Sequence, residues 1–447
     1  MAGSFDLVVV GGTCVGPNGR ERVDVGIRAG RITALGDLRS ASAAQRIEAA
    51  GLHVLPGVVD TQVHFREPGL THKEDLATGS AAAVLGGVTS VFEMPNTKPP
   101  TTTAAALRDK LERARGRMHC DHAFYVGATP DNAGGLGALE SLPGCCGVKV
   151  FMGSSTGELL VPDDLGIEAV LRGTTRRVTF HAEDEPRLRE RRSLAARGRP
   201  ETHPLWRDVE TARLATARLL ALARRLDRPV HVLHVTTAEE MDLLAGHRAL
   251  ASVEVTPQHL TLVAPGCYER LKALAQMNPP IRDARHQDAL WAAVRSGIVD
   301  VVGSDHAPHT LEEKAGEYPD TPSGMTGVQT LLPLLLDHAH AGRLGLERVV
   351  DLTSAGPARV FGLPGKGRIA LDADADLVLV DSSRRETITN ARVKSRCGWT
   401  PFDGMEVTGW PVATVLRGHV VMRDGEVLGP PRGEALRFAL PRAAHKA

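Results

Sequence analysis

The sequence predicts an α/β protein: a (β/α)8, TIM-like barrel carrying a small β-sandwich built from both chain ends. Three observations carry that expectation. Eight short apolar runs in the middle of the chain each close on polar residues and are separated by helical stretches, and eight such units is the count of a closed barrel. Aromatic residues make up only 4% of the 447, so the core has to be Val, Leu, Ile and Ala, which suits parallel strands covered by helices. Both ends have a different texture, with short alternating runs broken by Gly and Asn-Gly, as in β-hairpins.

Taken in order, "FDLVVVGGTCV" and "RVDVGIRAGRITALG" assign residues 1–55 to the β-domain. The barrel is expected over 56–362, with strands at "GVVDTQVHF", "VTSVFEMPNT", "HAFYVGAT", "CGVKVFM", "RVTFHAED", "PVHVLHVTT", "SVEVTPQHL" and "VDVVGSDHAPH". "TAAALRDKLERAR" and "ETARLATARLLALARRL" are two of the intervening helices. Thr71 with Glu74 three residues on reads as a capping box opening the first helix, and Gly86-Gly87 as its end. The β-texture returns over 363–435, in "GRIALDADADLVLVD" and "ATVLRGHVVMRDGEVLG", and 436–447 reads as a loose tail.

Lys+Arg and Asp+Glu both number 53, which removes the electrostatic case for a nucleic acid or an anionic membrane as partner. No apolar stretch approaches the roughly 20 residues of a membrane span. The start, "MAGSFDLVVV", has no basic region before its apolar run and does not resemble a secretory signal. The six cysteines are scattered without zinc-ribbon or disulfide spacing, so a cytoplasmic protein is expected.

In barrels of this kind the C-terminal strand ends form the working face. Four of them offer metal-ligand residue types: His64, His181, His234 and Asp305. His231, three residues before His234, is expected to face the helices. Asp60, Gln62 and His64 alternate with Thr61 and Val63, so the first three are expected on one face. A histidine at position 62 would complete a metal-binding pair, but Gln62 stands there. Lys149, between valines in "GVKVFM", is expected to be buried at the barrel mouth. It must either snorkel out or acquire a partner; the sharper expectation is that burial among cations depresses its pKa, leaving a neutral amine that can add CO₂ to give an anionic carbamate. Arg66 shares a face with His64, and its planar fork matches a carboxylate; the plainer alternative is a surface pair with Glu67. Thr310 and Glu313 read as a second capping box.

"HFREPG", "MPNT", "GVKVFM", "HAED", "LHVTT", "MNPPIR" and "GSDHAPHTLEEK", in this order at the strand ends, resemble a dihydroorotase of the amidohydrolase superfamily. The resemblance implies reversible, zinc-dependent hydrolysis of the cyclic amide of dihydroorotate to N-carbamoyl-aspartate, in de novo pyrimidine synthesis. It implies one or two Zn²⁺ ions held by His64, carboxylated Lys149, His181, His234 and Asp305, with Asp305 also moving the proton. Arg66, Asn96, Asn278 and His309 would contact the substrate. A divalent metal is chemically apt, because it supplies a nucleophile at neutral pH and polarises the carbonyl.

Gln62 departs from the family pattern, which has histidine there, and Gln258 beside His259 is a similar departure. An amide oxygen is a weaker zinc ligand than imidazole, so one of the two metal positions is expected to be weakened. Two alternatives stay open. One is an allantoinase or hydantoinase, against which Arg66 argues because neither substrate needs a ring carboxylate held. The other is a catalytically silent partner of aspartate transcarbamoylase, against which the retained ligand types argue. Such chains also self-associate or bind that transcarbamoylase, and the resemblance extends both expectations to this one.

Overall fold

The computed structural model describes residues 4–155 and 159–439. Eight parallel strands follow one another around a near-closed barrel: β1 (Val58–Val63), β2 (Val88–Glu93), β3 (Asp121–Gly127), β4 (Cys145–Phe151), β5 (Val178–His181), β6 (Val230–Val232), β7 (Ala251–Val255) and β8 (Val301–Val302). The last unit meets the first where His64 N donates to His306 O at 2.7 Å, beside a parallel bridge between Val63 and His306.

Alternation sorts the strand residues into two environments. Val148 and Val150 of β4, Val230 and Val232 of β6, and Val253 and Val255 of β7 share an apolar shell with helix residues such as Leu219 and Leu290. Each fully buried side chain of this size contributes roughly 1.5–3 kcal/mol, which offsets the cost of a polar interior. Lys149, His231 and Glu254 occupy the alternate positions and line that interior.

Two expectations about facing are corrected. β1 is irregular between Asp60 and Val63. Thr61 consequently reaches inward and donates to Glu254 Oε2 at 2.5 Å, while its neighbour Gln62 also reaches an interior partner, Asp305. His231 also faces the interior, with Nε2 3.3 Å from Glu254 Oε2 and Nδ1 2.8 Å from Ser252 Oγ. Counting back from His234 fails because β6 ends at Val232 and His234 has φ 35°, so strict alternation does not carry through.

The first helix spans Leu76–Leu85, and its cap is Asp75 rather than Thr71: Asp75 Oδ1 accepts from Thr78 N at 2.8 Å, and the Thr78 side chain closes the box. Glu74 has another use. Buried, it accepts from Ser395 Oγ and Arg396 N and stands 3.4 Å from His306 Nε2, which ties the β8 loop to the C-terminal region. Gly86 ends the helix as expected. Thr310 and Glu313 do form a capping box.

The chain ends form two sheets around one core. Phe5–Val10, Asp24–Arg28, Arg31–Gly36 and Ala43–Glu48 make a four-stranded sheet. In the second, of seven strands, His53–Pro56 pairs antiparallel with Leu377–Val380, joining the N-terminal and C-terminal segments. Leu7, Val25 and Ile27 from one sheet meet Val54, Leu377 and Val415 from the other. The segment after 435 is docked over the residues described: Leu436 N donates to His122 O, and the Phe438 ring lies 5.6 Å from Phe92. Residues 440–447 of the expected tail lie outside the described residues. All six cysteines are buried free thiols. Among the described residues no helix is long and apolar enough to cross a membrane.

Candidate active site

One cavity at the C-terminal ends of the strands is lined by Gln62, His64, Arg66, Asn96, Lys149, His181, His234, Asn278 and Asp305. Nine of the ten residues singled out from the sequence therefore converge; the tenth, His309, is buried behind Arg66 with Nε2 3.1 Å from Arg66 Nη2. The cavity shares Ser155, Asn278 and Ser323 with a wider cleft that opens past Arg192 and Trp206. Arg66, His234 and Asp305 all adopt left-handed backbone, with φ of 64°, 35° and 44°. Strained conformations at non-glycine residues persist where the surrounding structure over-determines them, and they cluster at functional sites.

The histidines are oriented from behind. His64 Nδ1 donates to Asn96 Oδ1 at 2.8 Å, which leaves the Nε2 lone pair facing Asp305 Oδ1 at 3.2 Å. His181 Nε2 donates to Glu183 Oε2 at 2.8 Å, which leaves Nδ1 facing His234 Nε2 at 3.0 Å. Burial pushes all three imidazoles below their usual pKa, which favours the neutral rings. Burial alone would raise the Glu183 carboxyl, but Arg207 and His181 outweigh it and hold the group well below the usual carboxylate range. Arg207 Nε lies 3.0 Å from Glu183 Oε1, and both side chains are buried.

Lys149 is 1% exposed, and its Nζ has no hydrogen-bond partner; it lies 4.5 Å from the centre of the Phe151 ring. Burial lowers its pKa to about 7, against the pull of Asp305 and Glu254. That burial rules out snorkelling, and with a pKa of about 7 the neutral amine becomes the main form only above neutral pH. Glu254, below the cavity, has its carboxyl pushed up to about 8 by burial. Gln62 Nε2 donates to Asp305 Oδ1 at 2.9 Å, and its Oε1 is buried without a partner. Gln258 instead donates to Ser304 O, and His259 is tied to Thr256 Oγ1 and Pro279 O.

The donor chemistry fits a divalent cation. The His64 lone pair and an Asp305 oxygen are two acceptors within 3.2 Å, which a cation reconciles, and Lys149 Nζ and Gln62 Oε1 lack partners on the same cavity. Ligating histidines characteristically give their other N–H to a carboxylate or carbonyl, as His181 and His64 do here. Among the described residues no three His, Cys, Asp or Glu side chains form a ready cluster; the site is two pairs with Lys149 on the shared wall.

Arg66 is 1% exposed and turns to the cavity rather than to Glu67, which pairs with Arg117 at 2.7 Å. Arg66 Nε donates to Pro308 O at 3.1 Å, while Nη1 is buried without a partner. Sequence reasoning missed Glu183, Arg207, Lys73 and Glu254. Glu183 was legible as the residue two beyond His181 in "HAED"; Arg207, 24 positions further along the chain, carries no local signal.

Barrel, strand-end cavity and paired imidazoles define a hydrolase of the amidohydrolase family, and the chain belongs to that family: its model, described as the amidohydrolase family, matches residues 53–143 and 212–421. More narrowly, it is a cyclic amidohydrolase of the dihydroorotase, allantoinase and hydantoinase type, in a family that is generally metal-dependent. It is 39% identical to a dihydroorotase of Halobacterium salinarum over 392 residues, covering 87% of this chain and 90% of that protein. It is also 37% identical to an allantoinase of Rubrobacter xylanophilus, over 97% and 98% of the two chains. Among solved structures, the L-hydantoinase (dihydropyrimidinase) of Arthrobacter aurescens superimposes with a TM-score of 0.92 at 29% identity, covering 97% of this chain and 99% of that one.

Proposed function

We propose that the protein is a dihydroorotase, hydrolysing the cyclic amide of dihydroorotate to N-carbamoyl-aspartate. The observation that carries this reading is Arg66, a buried cation on the cavity wall with an unpartnered Nη1. A buried guanidinium N–H left unmet costs stability unless a ligand meets it, and a carboxylate meets two such donors side by side. Dihydroorotate carries a ring carboxylate; allantoin and hydantoin do not. Similarity to both dihydroorotases and allantoinases leaves that choice to the pocket.

His64, His181, His234, Asp305 and Lys149, the last as its carbamate, would hold Zn²⁺, with Gln62 a weak contributor at most. Bound there, the metal would supply a nucleophile at neutral pH and polarise the amide carbonyl. The chain's own residues do the rest. Arg66 fixes the ring by its carboxylate so that the amide faces the paired histidines. Asn96 and Glu183 hold His64 and His181 with their lone pairs inward. Asp305, gripped by Gln62, accepts the proton released on attack and returns it to the leaving nitrogen.

The test is turnover by the zinc-loaded protein with dihydroorotate, allantoin and hydantoin in parallel. Dihydroorotate should be hydrolysed fastest; preference for allantoin would replace this reading with the allantoinase one.

A further inference from the structure

Behind Arg66 lies a group of side chains that do not line the cavity: His309, Lys73 and Glu313. His309 is wholly buried, and its two ring nitrogens face four partners. Nδ1 is 3.1 Å from Lys73 Nζ and 3.5 Å from Glu313 Oε2. Nε2 is 3.1 Å from Arg66 Nη2 and 3.1 Å from Ser323 O. Lys73, itself buried, is anchored by Glu313 Oε1 at 3.0 Å, and Glu313 is fixed in turn by the Thr310 cap.

A neutral imidazole has one donor and one acceptor. Lys73 and Arg66 can only donate, and Ser323 O can only accept. With the hydrogen on Nε2, the ring donates to Ser323 O and accepts from Lys73, so both bonds are 3.1 Å long and only Arg66 Nη2 is left facing a hydrogen. With the hydrogen on Nδ1, the ring gains Arg66 and a weak 3.5 Å contact to Glu313. In that case Lys73 faces a donor and Ser323 O faces a lone pair. The first arrangement keeps two bonds at 3.1 Å, against one bond at 3.1 Å and one contact at 3.5 Å in the second, and its mismatches are Arg66 facing a hydrogen and the more distant Glu313 facing a lone pair. A doubly protonated ring would turn a hydrogen toward both Lys73 Nζ and Arg66 Nη2, each 3.1 Å away and each only a donor, and burial and Arg66 also push the His309 pKa well below its usual value.

We propose that Lys73 is a specificity-determining residue: by donating to His309 Nδ1 it locks that ring as the Nε2–H tautomer and so denies Arg66 an acceptor within the protein. Arg66 then presents Nη1 and Nη2 together, a bidentate fork whose only good partner is an incoming carboxylate. Without Lys73, the ring can turn its Nε2 lone pair toward Arg66 and occupy half of the fork. Lys73 thus tunes preference for carboxylate-bearing cyclic amides over neutral ones without touching the substrate. This inference rests on the carboxylate reading of Arg66 given above.

The direct readout is the ring ¹⁵N spectrum of histidine-labelled protein, with the His309 signals assigned by their loss in His309→Asn. Protonated Nε2 and bare Nδ1 are expected in the parent; the opposite pattern overturns the proposal even if Lys73→Met fails to fold. In Lys73→Met the KM for dihydroorotate should rise about tenfold, with kcat changed by less than about threefold. Lys73→Arg, which keeps a donor, should recover most of that loss. Hydrolysis of dihydrouracil, the same ring without the carboxylate, should change by less than about twofold. Equal losses on both substrates, or an unchanged KM for dihydroorotate, would contradict it. If the parent does not hydrolyse dihydroorotate at all, the proposed function fails, while the tautomer remains decided by the spectrum.

Discussion

Gln62 Nε2 donates to Asp305 Oδ1 at 2.9 Å across the barrel mouth, so the residue that replaces an expected histidine grips the proposed proton carrier instead of offering it a second imidazole. The metal position nearest β1 should consequently be the weaker of two and the first emptied by a chelator. Gln62→His should raise occupancy there and leave the other position unchanged. Metal content during stepwise chelation checks this; two ions equally resistant in the parent would make Gln62 an adequate ligand or a bystander.

Lys149 should be carboxylated. Its amine is depressed to about 7, so the ammonium form dominates below that value and the CO₂-reactive amine above it. Metal loading of chelated protein should therefore be accelerated by bicarbonate at pH 8 and hardly at all at pH 6. Lys149→Ala should lose metal and activity together, activity by at least about a hundredfold. A variant that keeps both would remove the carbamate from the account.

Arg66→Lys keeps the charge but loses the planar fork. The kcat/KM for dihydroorotate should fall by more than about tenfold, which is over ~1.4 kcal/mol of transition-state stabilisation. Steady-state kinetics measure it directly, and an unchanged value would make Arg66 structural.

Glu183 and Arg207 orient His181 from behind, with the His181 Nε2–Glu183 Oε2 bond at 2.8 Å. Glu183→Gln should weaken metal binding by about 10–100-fold, the usual effect of losing an outer partner of a ligating histidine. Competition with a chelator of known affinity checks this without any assay of turnover. Unaltered affinity would show that His181 is held by packing alone.

Much of this site could be read from the sequence because it sits at strand ends. "GVKVFM" placed Lys149 inward between outward valines, and "HAED", "LHVTT" and "GSDHAPH" supplied ligand types at the ends of β5, β6 and β8. What alternation could not show is where it breaks. The irregularity in β1 brings Thr61 and Gln62 inward together, and the left-handed backbone at His234, beyond the end of β6, breaks the alternation by which His231 was placed. Asp75 displaced Thr71 as the helix cap because its carboxylate meets Thr78 N directly, which freed Glu74 to bind the C-terminal region. Arg207 and Lys73 were invisible because their roles depend on partners 24 and 236 positions away, distances over which periodicity carries no information.

The central claim is that a carboxylate on the substrate ring is what Arg66 recognises. The most direct test is the ratio of kcat/KM for dihydroorotate to that for dihydrouracil, measured on the zinc-loaded parent. A buried charge-assisted pair contributes roughly 1.5–3 kcal/mol, so the account expects a ratio of about 10–100 or more in favour of dihydroorotate. A ratio near or below one would contradict it.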